Sequence, residues 1–243
     1  MLNAITPYER PLSSGCPMSI KAAMERIRSK FIQLFKLYVL RDSFSWNIKR
    51  WFAVRGDDTL RLGYALDKSS VVFDVGGYLG DFAENINRKF NCQVHVFEPV
   101  SSFYRHCVER FLANPSIQLH NYGLSCASGC FEIVLNSNES SFHRVDQPGT
   151  REWAELRSIG EVVAELGVDR IDLLKVNIEG GEFQLLPEII RSGLIRKIRY
   201  LQIQFHNFDL DAPAARSRIR HDLSATHRQM WNYDFVWESW ELN

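Results

Sequence analysis

The stretch that most limits what this chain can fold into is Val71–Gly80, VVFDVGGYLG. Val71, Val72, Phe73 and Val75 form an apolar run without polar alternation, as in a central parallel strand covered on both faces. Three glycines follow, and a helical pattern begins at about Asp81 and runs to Phe90. Glycine permits positive φ and lets a ligand approach where a Cβ would block it. A helix N-terminus aims unpaired N–H groups at the same place. Strand, tight turn and helix in that order predict a ligand at Gly76, Gly77, Tyr78 and Gly80.

Asp74 narrows the choice of ligand. A dinucleotide turn reads G-x-G-x-x-G and holds pyrophosphate. A carboxylate two residues before Gly76 would repel that anion and attract the ammonium of an amino-acid moiety. Further on, a second strand, Gln93–Phe97, ends in Glu98 and Pro99. A carboxylate there can accept both hydroxyls of a ribose. Ammonium plus ribose describes S-adenosylmethionine (SAM) better than a nicotinamide dinucleotide. A nicotinamide-dependent oxidoreductase would share the sheet and Glu98 but want the fingerprint without Asp74. A glycine turn that only joins strand to helix is the bland alternative.

Strands and helices alternate through the rest of the chain, which argues for an α/β, doubly wound, mostly parallel sheet with helices on both faces. A helix is expected over Ser101–Leu112 and a third strand over Ile117–Asn121. A hairpin-like segment covers Phe131–Leu135, a loop that could cover substrate Ser140–Thr150, and a helix Ser158–Leu166. A fourth strand, Ile171–Ile178, carries Asn177, Glu179 and Glu182 at or just past its carboxyl end. A fifth, Ile198–Phe205, leads into His206. Ligands of open α/β sheets sit beyond the carboxyl ends of strands. Glu179 and His206 are therefore the candidates for taking a proton from an acceptor, while Glu182 also suits the first turn of a helix. Pro213–Met230 reads as helix and Phe235–Leu242 as a last strand, with a shortened terminal hairpin.

Three segments, FDVGGYLG, VFEPVSSFYRHC and IDLLKVNIEGGEFQLL, together with SIGEVVAELGVDR, resemble the FkbM-type methyltransferases of the class I SAM-dependent group over roughly Val71–Phe208. The resemblance implies a Rossmann-like methyltransferase sheet, SAM as cofactor, and O-methylation of a small molecule or a glycan hydroxyl. It places Asn121, Gly123 and Leu124 where the adenine lies and puts Asn177 among the cofactor-binding positions. Two residues depart from the pattern. Tyr78 stands where such turns carry a small or amide residue, and Asn177 where the family has an aspartate. The amide is a poorer ligand for a hard cation than a carboxylate, so no metal site is assigned. A non-catalytic SAM-binding or interaction module would keep the turn and lose the chemistry at the fourth strand.

Composition adds limits. The 243 residues are 45% hydrophobic with zero formal net charge, and the total implies no nucleic-acid partner. Residues 1–62 carry 11 Lys/Arg against 5 Asp/Glu. They are read as an N-terminal arm and helical extension to a methyltransferase domain over 63–243. Ser19–Arg41 has helical apolar spacing but is too short and charged to span a bilayer. It suits packing on the domain or a homo-oligomer contact, with peripheral membrane contact a minority reading of the basic bias. Five cysteines and no secretory pattern point to reduced thiols in a cytoplasm. A second helix near Phe44–Val54 carries Trp46, Trp51 and Phe52, read as core rather than a sugar platform.

Overall fold

The computed structural model describes residues 43–136, 139–141, 150–208 and 210–243. The helix expected over Ser19–Arg41 and most of the loop expected over Ser140–Thr150 lie outside these residues. The chain divides into two compact units, Met1–Trp46 and Asn47–Asn243, and the second holds all the strands described.

The elements in order are α1 (Ser43–Ala53), β1 (Val71–Val75), α2 (Asp81–Phe90), β2 (Gln93–Phe97), α3 (Ser101–Phe111) and β3 (Ile117–His120). Then come β4 (Gly123–Ser125), β5 (Gly129–Asn136), β6 (Glu139–Ser141), β7 (Thr150–Ser158) and α4 (Ile159–Glu165). The chain continues through β8 (Ile171–Val176), α5 (Glu182–Arg191), β9 (Ile198–Ile203), α6 (Ala212–Leu223), β10 (His227–Tyr233) and β11 (Trp237–Leu242). A seven-stranded sheet has the order β10-β11-β9-β8-β1-β2-β3. Pairing is parallel from β9 through β3 and antiparallel where β11 joins β9 and β10 joins β11. The doubly wound, mostly parallel α/β sheet is as expected.

The strand order follows from burial. Val72, Phe73 and Val75 of β1 and Leu173, Leu174 and Val176 of β8 are fully buried. Their side chains alternate between two clusters, one on each face. Phe73, Val75, Leu174 and Val176 join Val162, Leu185 and Ile189 of α4 and α5. Val72 and Leu173 join Phe82, Ile86 and Phe111 of α2 and α3. Each such side chain contributes about 1.5–3 kcal/mol when taken from water, so strands this apolar are held at the centre. Asp81 and Glu84 in the first turn of α2 and Arg88 and Lys89 in its last suit the helix dipole.

Three expectations are corrected. Thr150–Ser158, for which no strand is expected from the sequence, is β7, an inner strand of a second sheet ordered β4-β7-β5-β6. Its fully buried residues are only Ala154 and Leu156, and a 72% exposed Trp153 precedes them, so the alternation is short. The helix expected over Pro213–Met230 stops at Leu223, and His227–Tyr233 forms β10. The terminal hairpin is therefore complete rather than shortened. Buried Arg216 and Glu238 form an ion pair that ties α6 to it, joined by Arg220. Of the α1 aromatics, Trp51 is core, packed against Trp231 and Tyr233, whereas Trp46 and Phe52 are exposed.

The turn after β1 is locked by its neighbour. Gly76 has φ +86°, and a Cβ on it would lie 1.9 Å from the Asn177 carbonyl oxygen. The missing side chain thus lets the ends of β1 and β8 close on each other, besides any room it leaves for a ligand. Overpacking costs about 1–3 kcal/mol and left-handed backbone about 1–2 kcal/mol for an L-residue. Gly76→Ala is accordingly expected to lose about 2–5 kcal/mol in urea unfolding with no ligand present. A loss under about 0.5 kcal/mol, the size of an ordinary surface change, would show that the two strand ends are not coupled here.

Candidate active site

The carboxyl ends of β1, β2, β8 and β9 meet around the glycine turn. Asp74 on β1 and Lys175 on β8 are register partners, so both side chains leave the sheet on one face. Asp74 is 0% and Lys175 3% exposed. Asp74 Oδ1 lies 2.7 Å from Lys175 Nζ, and Asp74 Oδ2 accepts no hydrogen bond among the described residues. Lys175 Nζ donates to the Gly76 carbonyl at 2.6 Å. Burial pulls the Lys175 pKa down and the Asp74 charge opposes it. The aspartate expected to meet a ligand's ammonium thus already holds a cation. Lys175 stands in the LLK string of the fourth strand, and its opposition to Asp74 became visible only with the strand register.

Glu98 is also sequestered, at 5% exposed. Its Oε2 accepts the Tyr78 N–H at 2.7 Å and its Oε1 the Val100 N–H at 2.9 Å. Loss of hydration raises its pKa to about 7, against the pull of those two N–H groups. Asn121 Nδ2 donates to the Glu98 carbonyl at 3.1 Å, fixing the chain between β2 and β4.

On the opposite face of β1 lies a cavity of about 160 Å³. Gly76, Gly123 and Leu124 line it together with Phe97, Pro99, Ile178 and Gly181, so three predicted positions share one wall. The second sheet adds Phe131 and Leu156, which the sequence did not single out. Tyr78, Gly77, Glu98 and Asn121 are outside this lining. A Cβ at Gly77 would lie 2.2 Å from Val96 Cγ1 and one at Gly80 2.6 Å from the Phe111 ring. Those glycines serve packing. The fit of a nucleoside cofactor rests on apolar walls around Gly76 and Gly123, and Asn177 Oδ1, outside this lining, is buried with no hydrogen-bond partner among the described residues.

Glu179 and His206 come together as expected, with Glu182 as a third member. The fully buried Glu182 accepts from Gly180 N–H at 2.8 Å through Oε2. Through Oε1 it accepts from His206 N–H at 2.8 Å and meets His206 Nδ1 at 3.0 Å. His206 Nε2 lies 3.4 Å from Glu179 Oε1. Burial lowers the imidazole's pKa, but its hydrogen bonds and charge contacts with the two glutamates outweigh that and raise it to about 9. At neutral pH His206 is an imidazolium and has no lone pair to take a proton, unlike the neutral imidazole expected from sequence. Glu179 itself has φ +50°, a conformation non-glycine residues keep only where their surroundings enforce it.

No helix among the described residues is long and apolar enough to cross a membrane. The chain matches the Methyltransferase FkbM domain over residues 74–235. AMB antimetabolite synthetase AmbE of Pseudomonas aeruginosa is 27% identical over 212 aligned residues, covering 69% of this chain and 10% of the synthetase. The chain therefore spans about a tenth of that relative's length. A solved Streptococcus mutans protein in complex with SAH has a TM-score of 0.49 at 11% identity, covering 79% of this chain and 97% of that one. Aeropyrum pernix fibrillarin with natively bound SAM has a TM-score of 0.46 at 10% identity, covering 76% and 74%. Because the domain match takes in well over half of the sequence, the chain belongs to the FkbM methyltransferase domain family, whose cofactor is S-adenosylmethionine.

Proposed function

We propose that this methyltransferase methylates a hydroxyl of a small molecule or a glycan, with Glu179 taking the proton. The observation that carries the reading is the Glu182–His206–Glu179 chain at the ends of β8 and β9, beside the cavity wall formed by Gly76, Ile178 and Gly181. When bound, SAM supplies an electrophilic methyl group on a sulfonium. Gly76, Gly123 and Leu124 would hold its nucleoside end, Glu98 the ribose hydroxyls, and Asn177 a polar group of the remainder. Drug-sized sites measure about 300–1,000 Å³. The enclosed part here is about 160 Å³, so it suits a base, and the rest would lie across the open strand ends. Asp74 acts through Lys175, which fixes the Gly76 carbonyl. Glu182 keeps His206 charged, and His206 holds Glu179 at 3.4 Å, so the carboxylate would be positioned before the acceptor arrives. A cytoplasmic site of action, and self-association through the N-terminal segment, belong to the same proposal.

General base catalysis contributes about a hundred- to ten-thousandfold. Glu179→Gln is expected to lose turnover by that order, in a mass-spectrometric assay with labelled SAM and candidate glycans, while S-adenosylhomocysteine still binds. The pH profile discriminates further. Below pH about 9 His206 is protonated and holds Glu179, so activity should extend flat through neutrality and fall as pH rises past about 9. His206→Gln should lose that alkaline limb. Activity that instead climbs as pH passes through neutrality would make His206 the base and sink this assignment.

A second expectation concerns Glu98, whose carboxyl is protonated for much of the time up to pH about 7. Ribose hydroxyls donate to the ionised form, so cofactor binding should release a proton, and affinity should rise as pH passes through about 7. Hydrogen bonds to charged groups contribute roughly 1.5–3 kcal/mol. Glu98→Gln is therefore expected to weaken S-adenosylhomocysteine binding about ten- to a hundredfold at alkaline pH and to abolish the pH dependence. Calorimetry that finds equal affinity and equal proton release in the variant would remove Glu98 from the site.

A further inference from the structure

Tyr78 is held in a conformation that suits glycine or asparagine, and it is held there firmly. Its φ is +50°, in a region that costs an L-residue free energy unless the surroundings enforce it. The surroundings do so through the backbone on every side. The Tyr78 N–H donates to Glu98 at 2.7 Å, and its carbonyl accepts from Cys107 Sγ at 3.2 Å. The next carbonyl, that of Leu79, accepts from Arg110 at 2.6 Å, and Arg110 is itself paired with Asp81 and Glu84. None of these bonds uses the Tyr78 side chain. An asparagine would satisfy all of them without the strain, so the ring needs a reason of its own.

That reason lies in what the ring touches. Tyr78 is 42% exposed and meets Phe103 edge to face, with centroids 4.6 Å apart. Tyr78 lies in the glycine turn, and its own N–H holds one oxygen of Glu98. Phe103 lies three residues past Val100, whose N–H holds the other. Behind Phe103 stand Val100, Ile133 and Ala154, so the second sheet backs the contact. The ring pair links the glycine turn to the first turn of α3, the two segments beside the N–H groups that hold the Glu98 carboxylate, and Glu98 is 5% exposed and outside the cavity lining.

We infer that Tyr78 and Phe103 form an aromatic clasp over Glu98 that opens to admit the ribose of the cofactor and closes again upon it. The inference rests on the cofactor reading of Glu98 given above. Phe103 has no part in that reading, and Tyr78 gains a task that its backbone bonds do not perform.

The test is rapid-mixing kinetics of S-adenosylhomocysteine binding to the full chain, for the native protein, Tyr78→Phe, Tyr78→Asn and Phe103→Ala. A minor open state is populated at about 10% or less, so opening the clasp permanently should raise the association rate about tenfold or more in Tyr78→Asn and Phe103→Ala. Dissociation should quicken as well, and Tyr78→Phe, which keeps the ring, should match the native protein. Tyr78→Asn retains every backbone bond and relieves the left-handed strain, so its thermal midpoint should equal or exceed that of the native protein, which separates gating from unfolding. Native-like association rates in both opened variants would overturn the clasp and leave the cofactor reading intact. Absence of binding to the native protein would overturn that reading and the clasp with it.

Discussion

The site depends on one buried charge contact, that between Asp74 and Lys175. Both side chains lie beneath the glycine turn with almost no exposure, where an unpaired charge is not tolerated. Lys175 reaches two groups at once, the Asp74 carboxylate and the Gly76 carbonyl. The turn is thereby tied to β8 as well as to its own strand, and the Gly76–Asn177 approach can be as close as it is. A buried pair of this kind is weak evidence for stability, because desolvation offsets much of the attraction. Its consequence is geometric, since breaking either side would strand a charge in the core.

A second chain of charges orders the other half of the cleft. Glu182 is the first residue of α5, and both of its carboxylate oxygens are occupied by backbone N–H groups. It sits at the helix start and against the His206 ring at once. Two non-glycine residues with positive φ, Tyr78 and Glu179, follow β1 and β8 on the two sides of the turn. Strain gathered at the loops of a rigid parallel sheet is where function is expected to reside.

Legibility varied with the kind of signal. β1, α2 and β2 match the boundaries expected from sequence because continuous apolar runs, a glycine turn and complementary helix-end charges agree with one another. The second sheet escaped because β7 buries only Ala154 and Leu156 on its inner face, and its charged outer residues resemble an exposed helix. β10 escaped for a similar reason, its pattern HRQMWNY having few buried positions. In the candidate site, Gly76, Glu179 and His206 were singled out by position along the chain, and Gly123 and Leu124 by the family resemblance. Lys175, Phe103 and Phe131 were not, since each matters through a neighbour far away in sequence.

Taken alone, the sequence determined the sheet class, the place of the turn and the residue types at the strand ends, because each follows from local periodicity, from glycine at a sharp turn or from a carboxylate after a strand. Which charges are spent on one another was decided by the tertiary structure alone. Strand register sets Asp74 against Lys175, and the start of α5 sets Glu182 against His206. A pKa depends on what surrounds a group within a few ångströms. Residues adjacent in that sense lie 101 and 24 positions apart here, and so His206 carries a proton that no local pattern in the chain foretells.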